Sequence, residues 1–379
     1  MPELSGSKIV IISKLHLMNF RNFASKKIEF DPKLTVIIGQ NGSGKSNILE
    51  AIGLMAATRL RRVDTDLDMV RFGAGEAKIE CIVGVGEAGR GTLTINFQVD
   101  PNVILSEAKD LKRDSSSFGL RMTGRGDSRL RKSYYIDAIK KRWIDFTDHM
   151  AVIEFSPSDL ELISGSPSTR RHHIDSLLAP LDRDYWRASS NYGKVVVRRN
   201  KVLQRIREGK SKKSELDFWD ERLLEHAKFL TRARAEFFEF VNFVNSERGG
   251  YSWDLKQSVV TSEKLAVNRD RDIAAGVTLS GSHRDDFMFV FRKKNLEFFG
   301  SRGEQRMAVL ALKLAELEYF ASKKGSRPVL ALDDIFSELD WEHREAVMGI
   351  IEKQQTIITA AESESLPAEL FKKAKVVKI

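Results

Sequence analysis

Apolar and polar residues alternate with a period of two through Leu15 and Leu17, and again through Ile28 and Phe30, on either side of Asn19-Phe-Arg-Asn22. That pattern predicts a β-hairpin over residues 8–30. The β-branched run Val36-Ile37-Ile38 follows, then a glycine-rich turn, then Ile48, Leu49, Ile52 and Met55 at the steps of one helix face. Strand, tight turn and helix succeed one another without a gap. Lys78–Val85 and Thr92–Val99 alternate again, as in an antiparallel sheet with one wet face. Between Asp100 and Lys132 the pattern dissolves into Ser115-Ser-Ser117, scattered glycines and arginines, and it reads as a surface excursion.

From Asp182 to Ser246 the chain is charged, poor in glycine and helical in period. Ser214 with Asp217 marks a helix start, and Leu216, Trp219, Leu223, Ala227 and Leu230 follow at three- and four-residue steps. An arm packed as a hairpin or small bundle is expected, closed by Gly249-Gly250. Strands resume by Phe287, Phe289 and Phe291, Gly303 to Phe320 reads as a helix, and Pro328 to Leu332 as a buried strand ending at Asp333.

The turn between the first buried strand and its helix is Gly39-Gln40-Asn41-Gly42-Ser43-Gly44-Lys45-Ser46-Asn47. Three glycines let successive N–H groups point inward at phosphates, where the helix N-terminus adds a favourable dipole. Lys45 is placed to reach the terminal phosphates of ATP and Ser46 to ligate Mg2+. Asp333 and Asp334 end an apolar strand, the edge at which open α/β sheets hold ligands, so Asp333 fits the Mg2+ shell and Asp334 the polarisation of attacking water. Ser301-Arg302-Gly303-Glu304-Gln305 combines a hydroxyl, a glycine and a helix start, a second arrangement suited to phosphate.

Charge adds a partner class. A formal net charge of +9 over 379 residues suits a polyanion, because clustered Lys and Arg displace counterions from nucleic acid. Candidate DNA contacts are Arg59, Arg61, Arg62, Arg198, Arg199, Lys201 and Arg205, with Lys140, Lys141, Arg142, Lys210, Lys212 and Lys213 beside them. Such contacts position DNA without reading its sequence. Cys81 is the one cysteine, which excludes an intramolecular disulfide and a cysteine-built zinc site. The adjacent His172 and His173 would point in different directions from a helix and do not form a metal site. No apolar run approaches the ~20 residues needed to cross a bilayer, so a cytoplasmic, nucleoid-associated protein is expected.

Taken together, the phosphate loop, Ser301–Gln305, Asp333-Asp334 and the loop Ser337-Glu338-Leu339-Asp340 resemble the ABC-type ATPase head of chromosome-maintenance and double-strand-break-repair proteins. More narrowly, the chain resembles the RecF family. The narrower likeness lies in Asn19-Phe-Arg-Asn22, Phe155-Ser-Pro157-Ser-Asp159, Gly165-Ser-Pro167-Ser-Thr-Arg170-Arg171 with Asp175, Arg199-Asn200, Trp219-Asp220 and Gly281-Ser-His283-Arg284-Asp285-Asp286.

The resemblance implies an α/β fold, with a mixed sheet, flanking helices, an antiparallel β subdomain and an inserted helical arm. The head would occupy residues 1–178 and 251–379, and the arm 179–250. It further implies an ATP-dependent homodimer in which Ser301–Gln305 of one chain faces the phosphate loop of the other, with Ser337–Asp340 as the D-loop. A slow ATPase would clamp gapped or junction DNA, with RecR- and RecO-type mediators as partners and no membrane. Arg21 is expected beside the nucleotide or in strand pairing, and the His283–Asp286 stretch in a structural or communicating loop.

Three features depart from the family pattern. Ser282 replaces a proline, residues 102–119 have no counterpart, and Thr359 stands where transporter cassettes carry a switch histidine. That substitution and the mid-chain arm argue against a transporter ATPase, and the arm is too short for a chromosome-structural coiled coil. A defence-type ATPase acting on DNA is the remaining alternative, although it would ordinarily bring a nuclease domain.

Overall fold

The computed structural model describes residues 8–56, 66–85, 90–100, 130–246, 250–337 and 341–379. In chain order the strands and longer helices are β1 Lys8–Phe20, β2 Phe23–Glu29, β3 Leu34–Ile38, α1 Lys45–Met55, β4 Glu76–Val85, β5 Gly91–Val99, β6 Leu130–Ile136, β7 Ile139–Lys141 and β8 Val152–Phe155. Next come α2 Pro167–Leu181, α3 Arg183–Arg207, α4 Glu215–Asn245, β9 Tyr251–Lys256, α5 Ser262–Ala275, β10 Asp286–Phe291 and β11 Lys294–Asn295. The remainder is α6 Arg302–Lys324, β12 Ser326–Arg327, β13 Val329–Asp333, α7 Trp341–Ile351, β14 Thr356–Ala360 and β15 Lys375–Lys378. Two compact units result, one of Met1–Asp159 with Glu316–Ile379 and one of Leu160–Ala315.

The first unit holds a parallel sheet in the order β15-β3-β14-β13-β8. Each residue of β13 and β14 is buried, so these strands carry continuous apolar runs, as parallel strands covered on both faces do. Its antiparallel sheet runs β12-β1-β4-β5-β6-β7, with β2 on the other side of β1 and the β12–β1 pairing parallel. The predicted hairpin is present, with Leu15 opposite Ile28. The predicted β4–β5 pairing is present as well, with Cys81 opposite Leu93. Cys81 is a buried strand residue whose thiol pKa is pushed up by burial. Ile48, Leu49, Ile52 and Met55 of α1 join Leu17, Ile79 and Ile95 of one sheet and Val329, Ala331 and Ile357 of the other in a single core. The phosphate-loop helix is thereby fixed by both sheets.

In the second unit α3 and α4 form the expected helical hairpin, with Leu216, Leu223, Ala227 and Leu230 buried. Its extent differs from the expected 179–250. The unit also takes in α2, α5 and the antiparallel β9–β10 pair, because Arg234 of α4 bonds Asp175 of α2 and Asp285 beside β10, and Asn242 of α4 bonds both backbone groups of Trp253. β6 starts at Leu130, inside the stretch read as excursion. Residues 102–119 lie outside those described.

Candidate nucleotide-binding site

β3 ends beneath the loop and α1 begins at Lys45. Gly42 at φ 83° and Gly44 at φ 105° take the left-handed conformations that only glycine adopts without strain. At Gly44 a Cβ would also meet Phe23 at 2.6 Å and Asn22 at 2.7 Å. The α1 N-terminus has no side-chain cap and no acidic residue in its first turn, leaving its N–H groups for an anion. Lys45 Nζ donates to Gly39 O at 2.6 Å and Gln40 O at 3.1 Å, so the ammonium is curled against the loop it would bridge to phosphate. Asn22 braces the outside, donating to Ser43 O at 3.1 Å while accepting from Asn47 Nδ2 at 2.9 Å. Sequence reasoning gives Asn22 a place in the Asn19–Asn22 stretch but no role at this loop. Arg21 makes a two-point pair with buried Glu50 of α1, at 2.8 and 2.6 Å, a bond that joins hairpin to helix.

Three strands converge on one level, for Thr359 of β14 lies opposite Ile37 of β3 on one side and Asp333 of β13 on the other. Ser46 Oγ donates to Asp333 Oδ1 at 3.2 Å and Thr359 Oγ1 donates to the same oxygen at 2.7 Å. A hydroxyl and a carboxylate 3.2 Å apart are hard oxygen donors, which fits Mg2+, an ion that keeps several waters and takes phosphate oxygens rather than a full protein cage. No cluster of three or more His, Cys, Asp or Glu placed to hold a metal ion occurs among the described residues. Asp334 follows at φ 52°, its N–H directed at Thr359 O, 3.2 Å, and Oγ1, 3.1 Å.

Within the second unit, Ser301 and Glu304 form a reciprocal cap at the head of α6. Ser301 N donates to Glu304 Oε2 at 2.8 Å, and Glu304 N donates to Ser301 Oγ at 3.2 Å. The Ser301 backbone N–H first, and then its hydroxyl, which also donates to Glu304 Oε2 at 3.0 Å, hold the Glu304 carboxyl below its ordinary pKa. Ser301, Arg302 and Gly303 are exposed, and a Cβ at Gly303 would meet nothing within 4 Å. Gln305 instead donates to Leu296 O at 2.8 Å. Ser337 ends a short 3-10 turn, while Glu338, Leu339 and Asp340 lie outside the described residues.

The DNA candidates divide. Arg199 is fully buried, donating to Asp220 and Asp272 at 2.7 Å each and to Thr278 at 2.9 Å, so it is a structural residue and its assignment as a DNA contact is corrected. The cause is helical phase: Arg199 lies on the side of α3 that faces α4 and α5, whereas Lys194, Arg198, Lys201 and Arg205, at steps of four, three and four, share the exposed side. Sequence reasoning misses Lys194, although its spacing from Arg198 is readable. Arg59, Arg61 and Arg62 lie outside the described residues. Arg170 is likewise buried, paired with Asp286 at 2.6 and 3.0 Å, and Arg171 donates to Asp285 O at 2.8 Å, so this pair anchors the Gly281–Asp286 loop. His283 Nε2 donates to Thr278 O at 3.0 Å and its Nδ1 lies 2.8 Å from the Tyr192 hydroxyl, which agrees with a structural loop.

Two strands flanking a third, with the phosphate loop after one and the carboxylates after the other, and an antiparallel sheet packed on the same helix, define an ABC-type P-loop ATPase head. The family model described as RecF/RecN/SMC N terminal domain matches residues 11–377. DNA replication and repair protein RecF of Moorella thermoacetica is 32% identical over 386 residues, covering 99% of this chain and 94% of that protein. RecF of Bacillus cytotoxicus is 30% identical over 393 residues, covering 98% and 97%. Among solved structures, the recombination mediator protein RecF-ATPrS in the RecFOR pathway superposes with a TM-score of 0.81 at 23% identity, covering 98% of this chain and 97% of that one. The chain belongs to the RecF family.

Proposed function

We propose that the protein is an ATP-dependent DNA-binding protein of recombinational repair and replication, in which ATP joins two copies and hydrolysis parts them. The observation that carries this is the Ser46–Asp333–Thr359 cluster beneath an uncapped, glycine-rich helix start. ATP phosphates would lie on the N–H groups of Gly42–Ser46, and Lys45 would exchange its bonds to Gly39 O and Gln40 O for phosphate oxygens. Mg2+ held by Ser46 and Asp333 would neutralise phosphate charge. Asp334 would accept a proton from the attacking water. It is an aspartate where fast cassettes carry glutamate, and a carboxylate one methylene shorter suits slow turnover. Arg21, braced on Glu50, has its remaining donor face for the nucleotide's vicinity.

The exposed Ser301–Gly303 end of α6 supplies the second side of the γ-phosphate from the partner copy, with open space at Gly303 for close approach. Once the γ-phosphate leaves, the charge that bridged the copies is gone. The basic face of α3 then loses its hold on DNA. Gapped or junction DNA as the preferred form, and RecR- and RecO-type proteins as partners, rest on family membership alone. Sedimentation velocity with ATP and Mg2+ tests the central step: the wild type should dimerise, and Ser301→Arg should remain monomeric with nucleotide affinity unchanged. A wild type that stays monomeric at saturating ATP, DNA present, overturns the proposal.

A further inference from the structure

Thr359 replaces a histidine of transporter cassettes, yet its hydroxyl is not idle. It is buried and has one donor and two acceptor sites. The donor goes to Asp333 Oδ1 at 2.7 Å, the shorter of the two bonds on that oxygen. An acceptor site receives Asp334 N–H at 3.1 Å. We propose that Thr359 is the positioning residue of the carboxylate pair, one hydroxyl setting both the side-chain rotamer of Asp333 and the left-handed backbone of Asp334. The inference rests on the reading of this site as one for ATP and Mg2+.

Three physical features support it. The left-handed region is disfavoured for a residue with a Cβ, even for aspartate, which enters it with local hydrogen bonds, and Asp334, at φ 52°, is held there by both the carbonyl and the hydroxyl of Thr359. A β-branched side chain in a strand has few χ1 choices, so threonine keeps its oxygen aimed where serine could turn away. The strand register places Thr359 directly beside Asp333 on the same rung of the ladder. Removing the hydroxyl would take the 2.7 Å bond from Asp333 Oδ1, leave the longer one from Ser46 there, and so widen the carboxylate's range of orientation, while the carbonyl bond still holds Asp334 in part.

The test compares wild type, Thr359→Val and Thr359→Ser for binding of a fluorescent ATP analogue, first in EDTA and then across a magnesium titration, with melting curves and steady-state hydrolysis alongside. For Val, metal-free affinity should be unchanged, the magnesium midpoint should rise about tenfold, and kcat should fall by a similar factor with KM for ATP nearly constant, as expected for loss of one hydrogen bond to a charged group. Serine should recover the midpoint to within roughly threefold, since it restores donor and acceptor. Should the melting curve show that Val does not fold, Thr359→Ala, which also lacks the hydroxyl, carries the same criteria. A wild-type magnesium midpoint in the hydroxyl-less variant overturns the assignment, as does serine behaving like valine, since a restored hydroxyl would then restore nothing. A wild type that binds no nucleotide overturns the site reading itself, and this assignment with it.

Discussion

Arg199 offers the sharpest separation between a structural charge and a DNA contact. Its guanidinium has no exposed surface and joins Asp220 and Asp272, which are themselves buried. Replacing it with methionine keeps the volume and removes the charge. Asp220 retains Arg269 at 2.8 Å, whereas Asp272, fully buried, keeps only the backbone N–H of Leu279 at 3.1 Å among the hydrogen bonds seen. Stranding one partner of a buried pair costs about 3–5 kcal/mol. Retention of Arg269 on Asp220 argues for the lower half of that range. At about 1.4 kcal/mol per factor of ten, amide exchange in α3, α4 and α5 should lose roughly two to three orders of magnitude of protection. Hydrogen exchange read by mass spectrometry is the suitable assay, because it reports these helices separately from the head. Arg199→Met with Asp272→Asn should recover much of the loss, since the stranded charge is gone. Unchanged protection together with weakened DNA binding would refute the structural assignment and restore Arg199 to the DNA surface.

Other outcomes follow from the same geometry. Lys45→Ala removes the one ammonium seated in the loop, so calorimetric ATP affinity should fall by about 100-fold or more, the scale of a charge-assisted hydrogen bond to phosphate, with the melting temperature nearly unchanged. Glutamate at Arg198, Lys201 and Arg205 together should weaken DNA binding and flatten its log–log salt dependence by about one unit for each phosphate no longer neutralised, and an unaltered slope would move the DNA surface elsewhere. Burial lowers the His283 pKa from 6.5 to about 4, so the unfolded chain takes up a proton between those values that the folded chain refuses. Stability should therefore fall as pH drops through that window, by up to about 3 kcal/mol, and denaturant titrations should show the slope flattened in His283→Gln.

Local order determined much of what could be read from the chain itself. The glycines, Lys45 and Ser46 are consecutive, and the strand and helix on either side announce themselves by period, so loop, strand and helix were all legible. Asp333 and Asp334 were legible for the same reason, as the end of an apolar run. Whether a charge points outward was not legible, because Arg198 and Arg199 differ only in helical phase, and phase matters once α4 and α5 are known to cover one side of α3. Nor could the chain show that Thr359, 26 positions from Asp333, lies in register with it. Such pairings arise from how strands distant in sequence align in one sheet, and Asn22 reached the phosphate loop by the same route, through a hairpin folded against α1. Chemistry carried by neighbours in sequence was written in the chain; chemistry shared between strands, and the burial that turns a basic residue into a strut, was decided by packing.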